Sequence, residues 1–242
     1  MKVIAHRGDH SQVPSNTMAA FQAAQDAGAY GFEFDVRISS DDVPIVFHNF
    51  TLKGTTGAGI VSEQSLADLQ AVRLIGTDGQ HSEHGIPMLD DVLTTFAGKL
   101  YLEVHVQPFV PEIIPIMATH LQRVKAYWPM MEITSYEPAI LLGIQARCPG
   151  LATDLLAPRA EAWTTPKIVS RLTVEKGKLA QARAVHVHPS QLTPETVDYM
   201  RGHGFDIHAW DVNDADTLAQ LLALGVDQFT SDPIHLFLED GP

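Results

Sequence analysis

The chain has 242 residues, a formal net charge of −13 and a single cysteine. This length suits one large domain or two small ones, and 45% apolar with 19% charged residues is a globular composition that excludes a disordered chain. The 29 acidic residues outnumber the 16 basic ones, which disfavours nucleic acid or an anionic membrane as the main partner.

No feature of the sequence predicts insertion into a membrane. No apolar run reaches the roughly 18 residues that a spanning helix needs. Residues Met1–His6 include charged and polar side chains too early for a signal peptide. The lone Cys148 cannot form an internal disulfide, which fits a reducing compartment. We therefore expect a cytoplasmic protein without stable membrane insertion.

Short apolar runs alternate with longer amphipathic stretches, a pattern typical of parallel strands connected by helices. The predicted strands are Val3–His6, Tyr30–Val36, Leu100–Val106, Met131–Ser135, Ala152–Leu156, Ala184–His188, Asp206–Asp211 and Asp227–Thr230. The predicted helices are Asn16–Ala27, Pro87–Phe96, Pro111–Ala126, Pro138–Arg147, Pro166–Ala182, Pro194–His203 and Ala215–Leu224. Several of them begin with proline, whose missing N–H is tolerated in the first helical turn.

One short apolar run breaks this alternation. Pro44–His48 follows the second strand too closely for a crossover helix, so we predict an antiparallel hairpin partner. Residues 50–85 then form a predicted small insertion, with one helical stretch at Gln64–Val72. The remaining strands predict an α/β fold, a (β/α)₈ TIM barrel, as a single domain over residues 1–242. A doubly wound open sheet is the rival, but its Gly-rich phosphate turn is not found.

Two carboxylates occupy alternate positions of the second predicted strand. Glu33 and Asp35 are two residues apart, so their side chains point to the same face. Buried carboxylates are costly unless they are paired or bind a metal ion. Glu103 on an adjacent strand would supply a third oxygen ligand, a set that suits Mg²⁺ or Ca²⁺. A salt bridge from Glu33 or Asp35 to Arg7 explains the same pattern.

Polar side chains also gather at the carboxyl ends of the predicted strands, where a barrel holds its active site. His6 and His48 can titrate near neutral pH, as acid–base catalysis requires, although a lone histidine on a strand is more often structural. Arg7 offers a planar fork for a phosphate or a carboxylate. Trp210 either contacts a substrate or fills the top of the barrel.

These residues belong to motifs that extend along nearly the whole chain. The motifs include His6-Arg7-Gly8, Pro14-Ser15-Asn16-Thr17, Glu33-Phe34-Asp35-Val36, Pro44-Ile45-Val46-Phe47-His48, Leu102-Glu103-Val104-His105, Ala209-Trp210-Asp211-Val212-Asn213 and Ser231-Asp232. Their ordered combination resembles the glycerophosphodiester phosphodiesterase family, whose pattern includes HRG, PENT, ExDV and PVVxHD. HRG alone would carry no weight.

The resemblance implies a barrel enzyme that hydrolyses glycerophosphodiesters to glycerol 3-phosphate and an alcohol, with one divalent cation, Mg²⁺ or Ca²⁺. The implied site residues are His6 and His48 for acid–base catalysis, Glu33, Asp35 and Glu103 for the metal ion, and Arg7, His105 and Trp210 for the substrate. The expected partner is thus a small glycerophosphodiester, and no nucleic acid.

Four positions depart from the family's pattern. They are Ser15 for Glu, Asn49 for Asp, His105 for Lys and Asp211 for Thr. His105 gives a phosphate a positive charge only when it is protonated, whereas lysine carries a fixed charge. Two alternatives stay open: a phospholipase D-like hydrolase of lysophospholipids on the same barrel and, because of His105 and Asn49, a non-catalytic barrel that binds glycerophosphodiesters.

Overall fold

The computed structural model describes residues 1–76, 78–107, 111–161 and 163–238. Its strands are β1 (Lys2–His6), β2 (Gly31–Ile38), β3 (Pro44–Val46), β4 (Tyr101–Val106), β5 (Met131–Ser135), β6 (Ala152–Leu156), β7 (Ala184–Val187), β8 (Asp206–Ala209) and β9 (Gln228–Ser231). All except β3 pair in parallel, and β1 pairs with both β2 and β9, which closes the sheet. The predicted (β/α)₈ barrel is therefore confirmed.

Helices connect the strands around the barrel. They are α1 (Met18–Asp26), α2 (Leu66–Ala71), α3 (Leu89–Phe96), α4 (Ile113–Arg123), α5 (Pro138–Arg147), α6 (Pro166–Leu179), α7 (Pro194–Arg201) and α8 (Ala215–Ala223). The side chains of Thr17, Thr165 and Asp214 cap α1, α6 and α8 by accepting hydrogen bonds from backbone N–H groups. Helix α6 ends earlier than predicted, since Gln181 adopts a positive φ of 50°. In the described part of the chain no helix is long and apolar enough to cross a membrane.

The hairpin follows the predicted arrangement. Strand β3 runs antiparallel to β2, with Val36 opposite Val46. A smaller apolar cluster lies around helix α2, separate from the main core, and β3 and the chain after it contribute its residues. This cluster contains Ile45, Phe47, Leu52, Val61, Leu69, Val72, Leu74 and Ile86. The assignment of residues 1–242 to one domain, with 50–85 as its insertion, stays a prediction.

Aromatic packing on the outer face of β2 fixes the direction of its inner face. The Phe32 ring stacks on Phe21 of α1 with centroids 4.4 Å apart, and it meets Phe96 of α3 edge-on at 5.1 Å. All three side chains are buried. Because alternate residues of a strand point to opposite faces, this packing directs Glu33 and Asp35 into the barrel.

The Phe32→Ala substitution should therefore lower the free energy of unfolding by about 3 to 5 kcal/mol, because it removes a buried ring and leaves a cavity. Urea denaturation measures this change. The control is Leu179→Ala, whose side chain is 64% exposed and whose loss should change the free energy by less than about 0.5 kcal/mol. Equal effects of the two substitutions would contradict the role of the aromatic cluster.

Candidate active site

A cavity of about 280 Å³ opens at the carboxyl ends of the barrel strands. Its lining includes every site residue that the sequence predicted, namely His6, Arg7, Glu33, Asp35, His48, Glu103, His105 and Trp210. The lining also includes Gln107, Thr134, Tyr136, Leu156, Asp211 and Thr230. The structure thus brings the predicted residues together in one cavity, while the role of each stays a prediction.

Asp35 is the most heavily bonded carboxylate of the cavity. Its Oδ2 accepts a hydrogen bond from Asn16 Nδ2 at 2.9 Å and lies 3.2 Å from Arg7 Nε. Its Oδ1 accepts one from Gln107 Nε2 at 2.6 Å and lies 3.0 Å from His105 Nδ1. Burial alone would raise the pKa of Asp35, but the hydrogen bond from His105 and the charge of Arg7 hold it well below its ordinary value.

Left-handed backbone places two of these donors. Arg7 has a φ of 60° and Asn16 a φ of 57°, and the Asn16 N–H donates to the Arg7 carbonyl at 2.9 Å. Gly8 also has a positive φ, and a Cβ there would lie 2.6 Å from the backbone of Ala20. The chain after β1 therefore turns sharply against α1, which brings Arg7 and Asn16 to Asp35.

Glu33 is a second buried carboxylate beside Asp35. Its Oε2 accepts a hydrogen bond from the Arg7 backbone N–H at 3.1 Å. Burial, together with the charge of Asp35, raises the pKa of Glu33 well above its ordinary value despite the opposing charge of Arg7. Two neighbouring buried carboxylates repel each other when both are ionised. A cation between them would therefore stabilise both ionised forms.

The buried acidic residues of the cavity could hold a metal ion. Glu33, Asp35 and His105 offer ligand atoms that lie within 4.8 Å of one another. Glu103 lies opposite Glu33 in the register of β4 against β2. Its buried Oε2 has no hydrogen-bond partner among the described residues. Burying a carboxylate oxygen without a partner is costly in free energy, and a bound cation would supply that partner. His105 lies within this group, although the sequence predicted it as a substrate contact.

The two histidines of the predicted acid–base pair have different neighbours. His6 Nδ1 lies 2.7 Å from Asp232 Oδ1, and the same oxygen lies 3.1 Å from His10 Nε2. His48 Nδ1 lies 3.0 Å from the uncharged Asn49 Oδ1. Burial lowers the pKa of His48 from its ordinary value, which favours the neutral ring at pH 7.

Several contacts in this site were not among the predicted site residues. Gln107 follows His105 at the next alternate position beyond β4, so the period of two would have indicated it. Asn16 lies in a quoted motif, but its bond to Asp35 depends on a positive φ that residue types do not reveal. Tyr136, whose ring centroid lies 5.4 Å from that of His105, follows β5 within the motif Thr134-Ser135-Tyr136, which the family resemblance also covers.

The Asn49→Asp substitution should raise the pKa of His48, because a carboxylate beside the ring stabilises the imidazolium. Titration of the histidine side-chain signals by NMR measures this change. The same titration of the wild-type protein is the reference for this comparison. An unchanged or lower pKa of His48 would contradict the contact between the two side chains.

Comparison with known proteins shows the family of this chain. The model of the glycerophosphoryl diester phosphodiesterase family matches residues 6–236. The glycerophosphodiester phosphodiesterase of Caldanaerobacter subterraneus subsp. tengcongensis is 27% identical over 237 residues, covering 95% of this chain and 93% of that protein.

A phosphodiesterase of Oleispira antarctica, solved in complex with the product sn-glycerol-3-phosphate, matches with a TM-score of 0.78 and 25% identity, covering 96% of this chain and 93% of that one. A glycerophosphodiester phosphodiesterase from Agrobacterium tumefaciens shares the fold, with a TM-score of 0.79 and 23% identity over 98% of this chain and 99% of that one. The chain therefore belongs to the glycerophosphoryl diester phosphodiesterase family and is an enzyme of the phosphoric diester hydrolase class.

Proposed function

We propose that this protein hydrolyses glycerophosphodiesters to glycerol 3-phosphate and an alcohol, with one divalent cation held at the barrel mouth. The observation that carries the proposal is the single cavity that combines buried carboxylates, two histidines and an arginine. The relative from Oleispira antarctica, solved with sn-glycerol-3-phosphate as its product, supports the same product here.

Glu33, Asp35 and Glu103 are the proposed ligands of the cation, Mg²⁺ or Ca²⁺. Carboxylate oxygens are the ligands that both ions prefer. The bound cation would stabilise negative charge on a phosphoryl oxygen of the substrate. Asp35 is fixed for this role by three hydrogen-bonded side chains and its ion pair with Arg7, and Glu103 offers its unpaired Oε2.

Arg7, His105 and Trp210 are the proposed substrate contacts. The ion pair of Arg7 runs through Nε to Asp35, so the two terminal nitrogens of the guanidinium stay available for a phosphate. His105 directs Nδ1 to Asp35, and its Nε2 has no hydrogen-bond partner among the described residues. The Nε1 of Trp210 is equally without a partner in the described part of the chain. These nitrogens suit the phosphate and hydroxyl oxygens of a glycerophosphodiester.

His48 is the proposed base and His6 the proposed acid. A neutral His48, favoured by burial, can take the proton of the nucleophile, either water or the substrate's neighbouring hydroxyl. Asp232 holds His6 through Nδ1, and His6 Nε2 lies 4.0 Å from Glu33 on the cavity side. That ring orientation suits proton delivery from Nε2 to the leaving alkoxide.

Release of glycerol 3-phosphate from glycerophosphocholine and glycerophosphoethanolamine tests this proposal, with Mg²⁺, Ca²⁺ or Mn²⁺ added after chelation. We expect turnover only with a divalent cation. His6→Ala and His48→Ala should each lower kcat by about 10² to 10⁴, because each removes a proton-transfer group, and Glu33→Gln should weaken activation by the cation. The control His203→Ala should be as active as the wild type. Full activity after chelation, or in His6→Ala, would refute the proposal.

A lysophospholipid substrate is the second candidate, and one surface feature favours it. An apolar groove of about 220 Å³ lies between the carboxyl end of β6 and helix α6, lined in part by Leu155, Trp163 and Leu172. The Trp163 side chain is 78% exposed there. An acyl chain could bind this groove while its phosphodiester enters the cavity. Adding a lysophospholipid to the activity assay compares the two substrates, and faster turnover of the soluble diesters would exclude this candidate as the main function.

A further inference from the structure

A second buried polar cluster lies inside the barrel, and the proposed mechanism does not use it. Its central members are Glu132 of β5, Asp154 of β6, His186 of β7 and His208 of β8, none of them more than 7% exposed. Barrel interiors are ordinarily filled by branched apolar side chains. Ionisable groups in such a place are costly unless they are paired, so their contacts indicate what they do.

Hydrogen bonds satisfy both carboxylates of this cluster. Arg183 Nε donates to Asp154 Oδ1 at 3.1 Å, and its Nη2 donates to Glu132 Oε2 and Asp154 Oδ2, each at 2.5 Å. The Tyr101 hydroxyl donates to Glu132 Oε2 at 2.6 Å, and Gln228 Nε2 donates to Glu132 Oε1 at 3.1 Å. These donors satisfy the carboxylate oxygens and fix the lower half of the barrel interior.

His186 connects the cluster to the cavity. Its Nε2 lies 3.0 Å from His208 Nδ1 and 3.4 Å from Asp154 Oδ2, within the cluster. Its Nδ1, on the opposite side of the ring, lies 3.3 Å from Glu103 Oε1, a close charge contact without hydrogen-bond geometry. The other oxygen of Glu103 is the one without a partner in the described residues. The ring therefore contacts one oxygen of the carboxylate and leaves the other to the cavity.

We propose that His186 is a positioning residue that holds the Glu103 carboxylate in the orientation required by the divalent cation. The contacts of Nε2 with Asp154 and His208 fix the His186 ring, and the contact of Nδ1 with Oε1 fixes the Glu103 carboxylate. This inference rests on the proposed function in one respect, that Glu103 is a ligand of the cation. Partners that orient metal ligands typically change metal affinity by about 10-fold to 100-fold when they are removed.

The same cluster has the composition of a metal site, since Glu132, Asp154, His186 and His208 offer ligand atoms within 4.8 Å of one another. Its oxygens, however, already accept bonds from Arg183, Tyr101 and Gln228, as described above. His208 Nδ1 also lies 3.1 Å from Gln228 Nε2. The hydrogen-bonded arrangement is therefore favoured over a second cation, which becomes an outcome of the test.

Two variants of His186 separate its two contacts. The shorter amide of His186→Asn puts a donor near the place of Nδ1, whereas the longer amide of His186→Gln reaches toward the place of Nε2. Both side chains are polar and fit a buried polar site. Binding of Mn²⁺ to the metal-free protein, measured by calorimetry without substrate, should be about 10-fold to 100-fold weaker in His186→Gln. The His186→Asn variant should bind nearly as tightly as the wild type.

Tyr101→Phe is the control for a general loss of stability. It removes a hydrogen bond to Glu132 in the cluster but touches no contact of Glu103, so it should lower the unfolding temperature and leave the affinity for Mn²⁺ unchanged. Equal affinities of the Asn and Gln variants would overturn the proposal, as would a second bound Mn²⁺ that either variant abolishes. Binding needs no turnover, so an inactive wild type that binds Mn²⁺ would refute the proposed function and leave this inference standing.

Discussion

The burial of carboxylates inside the barrel is the constraint on which the rest of this structure depends. Glu33, Asp35, Glu103, Glu132 and Asp154 all lie in the interior, none of them more than 4% exposed. An unpaired charge in such a place costs several kcal/mol even after local relaxation. Each carboxylate must therefore find donors, a cation or a proton, and the way in which each does so divides the interior into two regions.

In the lower region every carboxylate oxygen has a donor, whereas in the upper region, the cavity, one oxygen lacks a donor among the described residues. Arg183, 43% exposed at its side chain, reaches Glu132 and Asp154 from the edge of the barrel and forms ion pairs with both. In the cavity, Arg7 pairs with Asp35, while an oxygen of Glu103 lacks a partner among the described residues. The same barrel interior thus stabilises the fold where its pairing is complete and offers a binding site where it is incomplete.

Local sequence pattern was sufficient for the elements and for the carboxylate pair. The alternation of Phe32, Glu33, Phe34 and Asp35 defined both faces of β2, and the aromatic packing confirms the outward one. The short gap before Pro44–His48 was enough to predict the hairpin. These features depend only on neighbours along the chain, where the periods of strand and helix apply.

Contacts across the barrel could not be predicted in the same way. Asn16 reaches Asp35 because of a positive φ, and residue type alone does not specify that backbone conformation. His186 and Glu103 belong to β7 and β4, which are not neighbours in the sheet. Their contact depends on the closure and radius of the barrel, and no local period encodes either.

The four departures from the family's motifs can be understood from where they lie. Ser15 and Asn49 replace acidic residues, and both line a polar cavity of about 290 Å³ next to the active-site cavity, together with Lys53. Asp211 adds an acidic residue beside Trp210, and His105 stands where the family's pattern has lysine.

Taken together, two negative charges are lost on the side of the insertion and one is gained near β8, while the fixed positive charge of lysine near β4 becomes one that His105 carries only when it is protonated. The charge around the mouth is therefore distributed differently from that of the family's pattern. A phosphate entering the cavity interacts with all of these groups, so their sum governs the long-range field. The loss of two carboxylates on the side of the insertion therefore offsets both the added Asp211 and the replacement of lysine by His105.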